Sequence, residues 1–98
     1  MTQAVPTKFA LDQNYPNPFN PETNISFYLS EKSEVNLAIY NILGQKVRTL
    51  AEGPMESGSH TVTWNGKNES GSSVASGIYF YKLNAGDNTV TKKMTLLK

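Results

Sequence analysis

A proline-rich segment near the N-terminus constrains the fold of this 98-residue chain more than any other feature. It reads Asn14-Tyr15-Pro16-Asn17-Pro18-Phe19-Asn20-Pro21. Each proline lacks a backbone N–H donor and fixes φ, and the residue before each proline is pushed toward extended or polyproline geometry. The segment therefore cannot be a helix or a central strand, and it predicts a rigid, extended entry loop.

After this loop, apolar residues alternate with polar ones, which is the period of a strand with one buried face. The clearest examples are three alternating triplets, Ile25, Phe27 and Leu29; Val35, Leu37 and Ile39; and His60, Val62 and Trp64. Residues 78–83 are apolar or aromatic on both faces apart from Lys82, as expected of a strand inside a sandwich. Residues 46–50 and 89–98 predict further strands. Trp64 is expected to anchor the core. Turns are predicted at Gly44, at Gly53-Pro54 and at Ser57-Gly58.

Six or seven short strands at turn spacings of about 8 to 12 residues, without a helical period, predict an all-β fold. We expect an antiparallel immunoglobulin-like β-sandwich of about seven strands. A small β-barrel is the competing architecture, because periodicity alone does not separate the two. Residues 11–98 are predicted to form this domain. Residues 1–10 are interpreted as a linker or an added remnant, which suggests a module cut from a larger protein.

The composition excludes several classes of function. The net charge of +1 and the scattered lysines and arginines disfavour nucleic-acid binding. The absence of cysteine excludes disulfides, thiolate zinc sites and a cysteine nucleophile. No apolar run approaches the roughly 18 residues of a membrane span, so no membrane insertion is expected.

No set of residues suggests catalysis or a cofactor. His60 is the only histidine, and it lacks the carboxylate or nucleophile partners that an acid–base mechanism requires. The eight carboxylates are dispersed, which argues against a metal cage. Backbone and asparagine oxygens around Asp12 and Asn14 could still bind calcium, although such sites generally need several carboxylates at short spacing. We therefore expect a protein that is not an enzyme and has no cofactor.

Two features of the sequence favour a binding function, one toward a glycan and the other toward another protein chain. The aromatic residues on the strands could form a sugar-stacking platform, although aromatic side chains at strand positions are more often core. The C-terminal strand keeps its alternation to the final residue, and an edge strand can recruit another chain by backbone pairing. Lys92 falls on its nominally inward face, which predicts an edge position or a side chain that extends to solvent.

Several sequence blocks, in order, resemble the C-terminal sorting domain of the Bacteroidetes type IX (Por) secretion system. They are Tyr15 to Pro21, Ile25-x-Phe27-x-Leu29, Val35-x-Leu37-x-Ile39-Tyr40-Asn41, Leu43-Gly44-Gln45-x-Val47, Gly58-x-His60-x-Val62-x-Trp64-x-Gly66, Ser76 to Leu83, and Lys92-Lys93-Met94-x-Leu96-Leu97-Lys98. The chain is also similar to the immunoglobulin-like domain of the flagellar hook-capping protein. Asn65 and Ser57 depart from the aspartate and alanine common in the sorting family.

The resemblance implies a secretion label that directs a larger cargo across the outer membrane to the cell surface or the medium, via the periplasm. The implied partners are the outer-membrane translocon, a sortase-like protease and an N-terminally fused cargo domain. The resemblance places the translocon-binding residues in two blocks: Gly77, Tyr79 and Tyr81, and Lys92, Lys93, Met94, Leu96, Leu97 and Lys98. Any cleavage would fall before or near the proline-rich loop. The alternative is a carbohydrate-binding or structural immunoglobulin-like accessory module.

Overall fold

A computed structural model describes residues 9–97 of the chain. Its seven strands, in chain order, are β1 Phe9–Leu11, β2 Thr23–Leu29, β3 Ser33–Tyr40, β4 Lys46–Met55, β5 Gly58–Trp64, β6 Gly77–Ala85 and β7 Asn88–Leu96. They form one sheet with the strand order β1-β2-β5 and a second sheet with the order β4-β3-β6-β7. Every strand pair in both sheets is antiparallel. The predicted immunoglobulin-like sandwich is confirmed.

The core lies between the two sheets and is filled by the predicted alternating residues. Ile25, Leu37 and Leu83 have no exposed surface, and neither has Trp64 at the end of β5. The Trp64 indole lies 5.3 Å from the Tyr79 ring and 5.7 Å from the Phe19 ring, measured between centroids. Its Nε1–H donates to the carbonyl of Lys67 at 2.9 Å. Trp64 thus joins both sheets and the proline-rich loop, as an amphipathic anchor should.

The structure corrects the sequence prediction at two strand boundaries. Gly53 and Pro54 lie within β4, opposite Val35 and Glu34, and do not form a turn after that strand. Proline is tolerated there because β4 is an edge strand, where a backbone N–H is not needed for the sheet ladder. Phe9 begins β1 and pairs with Leu29, in a short strand that the sequence pattern did not predict. Residues 1–8 of the predicted linker lie outside the described part of the chain.

Tyr81 connects the second sheet to the chain between β1 and β2. Its ring is fully buried. Its hydroxyl donates to the carbonyl of Asp12 at 2.7 Å and accepts from the backbone N–H of Asn14 at 2.8 Å. Burial raises the pKa of Tyr81 to about 12, the Asp12 charge adds to the rise, and the Asn14 N–H opposes it. This hydroxyl therefore stays neutral over the ordinary pH range.

We expect Trp64→Ala to lower the free energy of unfolding by about 3 to 5 kcal/mol, because it leaves a cavity between the sheets. Urea denaturation measures the change. Tyr28→Ala is the matched control, since Tyr28 is 44% exposed and its loss should cost less than about 1 kcal/mol. Equal costs for the two variants would show that the indole is not the core anchor.

We expect the stability of the protein to fall between about pH 10 and pH 12, because tyrosine ionises near 10 in the unfolded chain and later in the native state. The stabilising effect is complete below the unfolded pKa and is lost as pH rises through the folded pKa. Tyr81→Phe should cost about 1 to 3 kcal/mol at neutral pH, because it leaves the Asn14 N–H without an acceptor. It should also reduce the alkaline loss of stability. Chemical denaturation at a series of pH values measures both effects, and an unchanged alkaline slope would contradict the assignment.

Candidate functional site

The last strand, β7, lies at the edge of the four-stranded sheet, where β6 is its one neighbour among the seven described strands. In an antiparallel ladder, residues that bond to the neighbouring strand alternate with residues whose backbone groups face away. Thr95 faces away from β6, because its carbonyl accepts from the Phe19 N–H at 3.0 Å. The alternation places the backbone groups of Thr89, Thr91 and Lys93 on the same outward side. We call these three residues the β7 edge.

The proline-rich loop, residues 14–21, covers the C-terminal end of β7. The Phe19 N–H donates to the Thr95 carbonyl at 3.0 Å, and the Leu97 N–H donates to the Phe19 carbonyl at 2.9 Å. These two bonds form a parallel bridge between Phe19 and Leu96. The Asn17 side-chain carbonyl also accepts from the Thr95 N–H at 3.0 Å. The backbone of the last strand is therefore bonded on both sides at this end.

Contacts with Trp64 and Thr23 hold the proline loop in place. Phe19 is 2% exposed and packs on Trp64. The buried Thr23 hydroxyl donates to the Pro16 carbonyl at 2.8 Å and accepts from the Asn14 side-chain amide at 2.9 Å. These contacts hold the loop in place, but the chain bends at residues 16–18 and 20–21, so the extended path that the sequence predicts is wrong.

Gly66 makes room for the end of the proline loop. Its φ is +75°, and a Cβ at this position would lie 3.2 Å from the Pro21 carbonyl oxygen. The Asn65-Gly66 turn after β5 therefore needs glycine for its conformation and for the close approach of the loop.

The β7 edge itself remains largely open. The Lys93 carbonyl accepts from the Gln13 side-chain amide at 2.8 Å. Within residues 9–97, no acceptor is bonded to the outward N–H of Thr91 or of Lys93. An extended segment of another chain could pair with these groups.

The other edge of the same sheet, on β4, is occupied by the β5–β6 loop. The Glu69 N–H donates to the Val47 carbonyl at 3.1 Å, and the Glu69 carboxylate accepts from the Thr49 N–H at 2.8 Å. Farther along β4, Pro54 has no N–H to offer. The two edges of the sheet therefore differ in how readily they could accept a strand.

The structure divides the predicted partner-binding residues into a buried set and an exposed set. Tyr79, Tyr81, Met94 and Leu96 are buried with their side chains in the core. Burial raises the pKa of Tyr79, and its hydroxyl donates to the Ala75 carbonyl at 2.6 Å. These four side chains hold β6 and β7 against the first sheet.

The remaining predicted residues differ in their positions. Lys93 is exposed and opposite Phe80, whereas Lys92 is half-buried and opposite Tyr81. The predicted edge position of Lys92 is confirmed. Leu97 is 51% exposed, next to the proline loop. Gly77 begins β6 with a φ of +143°, a conformation that favours glycine. Lys98 lies outside the described residues.

The structure places the other candidate residues, His60 and several aromatic side chains, in packing contacts. His60 stacks on Phe27 at 5.3 Å between ring centroids, and its Nε2 lies 2.7 Å from the Glu56 carbonyl. Of the aromatic residues that could form a sugar-stacking platform, Trp64, Phe19, Tyr79 and Tyr81 are buried, whereas Tyr15 and Tyr28 are exposed. In the part of the chain that the structure describes, no three acidic or histidine side chains converge to hold a metal ion.

Sequence reasoning did not identify Gln13 and Asn17 as partners of the last strand. Asn17 lies 78 residues before Thr95 in the chain. An asparagine between two prolines indicates a turn, but nothing in the local sequence identifies so distant a partner.

No helix between residues 9 and 97 is long and apolar enough to cross a membrane.

Comparisons with known proteins extend these findings. The model of the FlgD Ig-like domain family matches residues 12–89, and no curated protein matches the chain. Solved structures with a similar fold include the following three. Dimeric latent PorU from Porphyromonas gingivalis has a TM-score of 0.68 and 18% identity over 99% of this chain. FlgD from P. aeruginosa has a TM-score of 0.59 and 24% identity over 78% of the chain. PorZ, a surface component of the type IX secretion system of P. gingivalis, has a TM-score of 0.57 and 23% identity over 88% of the chain.

This chain spans only part of each of those proteins: 10% of PorU, 64% of FlgD and 11% of PorZ. At these identities the structural likenesses establish the fold alone. The family match ends at residue 89, so most of β7 lies beyond it. Because that match covers most of the chain, the protein belongs to the FlgD Ig-like domain family.

Proposed function

We propose that this domain is a non-catalytic sorting signal of the type IX secretion system. It directs an N-terminally fused cargo through the periplasm and across the outer membrane, to the cell surface or the medium. The outer-membrane translocon recognises the domain, and a sortase-like protease processes the cargo. The open β7 edge is the observation that carries this proposal, because its backbone N–H groups, unpaired within residues 9–97, can bond an added strand of a receptor.

The comparisons support the proposal at the level of fold. FlgD-type Ig-like domains are non-catalytic structural modules. Among the structural neighbours, PorU and PorZ are Por-system proteins, and the likeness to PorU covers 99% of this chain. A fold hosts many functions, so the argument for this one depends on the site.

The site supports the proposal through backbone chemistry. A receptor that adds a strand to β7 gains hydrogen bonds from the Thr91 and Lys93 N–H groups, which carry no internal partner within residues 9–97. Recognition of backbone groups is tolerant of side-chain changes, which suits a label that is attached to a cargo. The buried Tyr79, Tyr81, Met94 and Leu96 act indirectly, by fixing the strand that is recognised.

Deleting residues 92–98 would test the importance of the last strand, but it also removes two core side chains, Met94 and Leu96. Thr91→Pro is a sharper change. It removes one outward N–H and places a ring on the β7 edge, while the β6–β7 hydrogen bonds of Val90 and Lys92 remain. Loss of delivery would then reflect the edge and not the core.

We expect Thr91→Pro to reduce surface or medium delivery of a fused reporter at least about tenfold in a host with a type IX system, because it prevents strand addition. The measurement is the reporter activity outside the cell, with a secretory signal peptide on every fusion.

Thr61→Pro is the matched control for this experiment. Thr61 also faces outward from an edge strand, β5, and bonds Ser26 only through its side chain at 2.9 Å. It should be delivered like the unchanged domain, and melting curves of both variants check that they fold. Normal delivery of a folded Thr91→Pro variant would refute strand addition at β7.

A further inference from the structure

The strand register aligns four side chains in a row across the outer face of the four-stranded sheet. Lys46 on β4 pairs with Tyr40 on β3, Tyr40 pairs with Phe80 on β6, and Phe80 pairs with Lys93 on β7. Paired residues of an antiparallel sheet project from the same face. We call these four residues the cationic row. It consists of two aromatic side chains with a lysine at each end.

A third lysine borders the cationic row. The Lys82 Nζ lies 5.1 Å from the centroid of the Tyr40 ring, within the range of a cation–π contact. Tyr40, Phe80 and Lys82, with Ile42 and Thr91, line a shallow groove of about 300 Å³. Ile42 is 70% exposed at the β3–β4 turn, so the groove has an apolar wall that solvent reaches. The surface therefore combines positive charge with exposed apolar area.

The positive charge of this surface is not compensated internally. Lys46, Lys82 and Lys93 form no ion pair with any carboxylate between residues 9 and 97. The acidic residues on the same face, Glu34 and Glu52, lie near the opposite end of the strands, paired with Pro54 and Asn36. The outer face thus has a cationic end and an acidic end, and its cationic end favours an anionic partner.

The spacing of the row indicates the shape of that partner. Lys46 and Lys93 are three strands apart, which at about 4.8 Å per strand is about 14 Å. An extended peptide advances about 3.3 Å per residue, so its residues i and i+4 span nearly this distance. In an extended segment, residues i, i+2 and i+4 face the same way. Acidic side chains at i and i+4 would meet the two lysines, and an apolar side chain at i+2 would meet the aromatic rings.

We propose that the cationic row binds an extended segment of a partner protein with an acidic, apolar, acidic pattern at alternate positions. The segment crosses the outer face of the sheet beside the β7 edge. The inference rests on the proposed function only in taking this partner to be the receptor of the sorting signal. The row favours a peptide over an anionic glycan, because the Lys82 ammonium already lies over the Tyr40 ring on which a sugar would stack.

The test is a titration of the 98-residue chain, labelled with nitrogen-15, at low salt. The probe is a capped seven-residue peptide with aspartate at its second and sixth positions, leucine at the fourth and serine elsewhere. We expect weak binding, with a Kd in about the millimolar range, and shifts of the Tyr40, Phe80 and Lys93 amides. A peptide with both aspartates replaced by asparagine should bind at least about fivefold more weakly.

Charge-reversal variants locate the binding surface. Lys46→Glu with Lys93→Glu should weaken binding of the acidic peptide about tenfold or more, because attraction becomes repulsion at both ends of the row. Lys32→Glu with Lys67→Glu makes the same change of net charge at two exposed lysines outside the row, and it should bind like the unchanged chain. If charge reversal disturbs folding, Lys46→Gln and Lys93→Gln should each weaken binding to a smaller extent.

Three results would overturn the inference: no shifts with the acidic peptide, equal binding by the row variant and its control, or tighter binding of hexagalacturonate than of the peptide. The last result would assign the row to an anionic glycan. The reporter assay separates this inference from the sorting proposal. Normal delivery of the Lys46→Glu, Lys93→Glu variant together with failed delivery of Thr91→Pro would remove the row from recognition and leave the sorting proposal in place.

Discussion

The pairing of Phe19 with the last strand is the interaction on which the rest of the structure depends. Two backbone hydrogen bonds, from the Phe19 N–H to Thr95 and from the Leu97 N–H to Phe19, join the start of the domain to its end. The Phe19 ring lies in the core against Trp64, so loop, core and last strand support one another. Hydrogen bonds of this kind are individually modest, but the burial of an aromatic side chain stabilises the geometry that they require.

This pairing gives β7 two parts with different properties. At its C-terminal end, the proline loop bonds the outward backbone groups of Thr95. Toward its N-terminal end, the outward N–H groups of Thr91 and Lys93 find no partner within residues 9–97. The opposite edge of the sheet is covered by Glu69 and interrupted by Pro54. A sheet that protects most of its edges and leaves one short stretch open is expected to associate at that stretch.

The sequence predicted the fold well because alternation reports burial directly. The alternating triplets around Phe27 and Leu37 lie in half-buried strands, and Trp64 is the core anchor that the sequence predicts. Prediction was wrong where a local signal was outweighed by sheet position: Gly53-Pro54 indicated a turn, but an edge strand accommodates proline. The candidate site was only partly accessible to sequence reasoning. The sequence indicated an edge strand, but the cationic row depends on register, which bulges in the β3–β4 pair help to set.

Amide hydrogen exchange along β7 tests the central claim most directly. The Leu97 N–H, bonded to Phe19, should exchange slowly, as should those of Val90, Lys92 and Met94, which face β6. The Thr91 and Lys93 N–H groups should exchange much faster, because they face outward without an acceptor. Equal protection of Thr91 and its neighbours would show that the β7 edge is already occupied. Fast exchange at Leu97 would show that the proline loop does not hold the last strand.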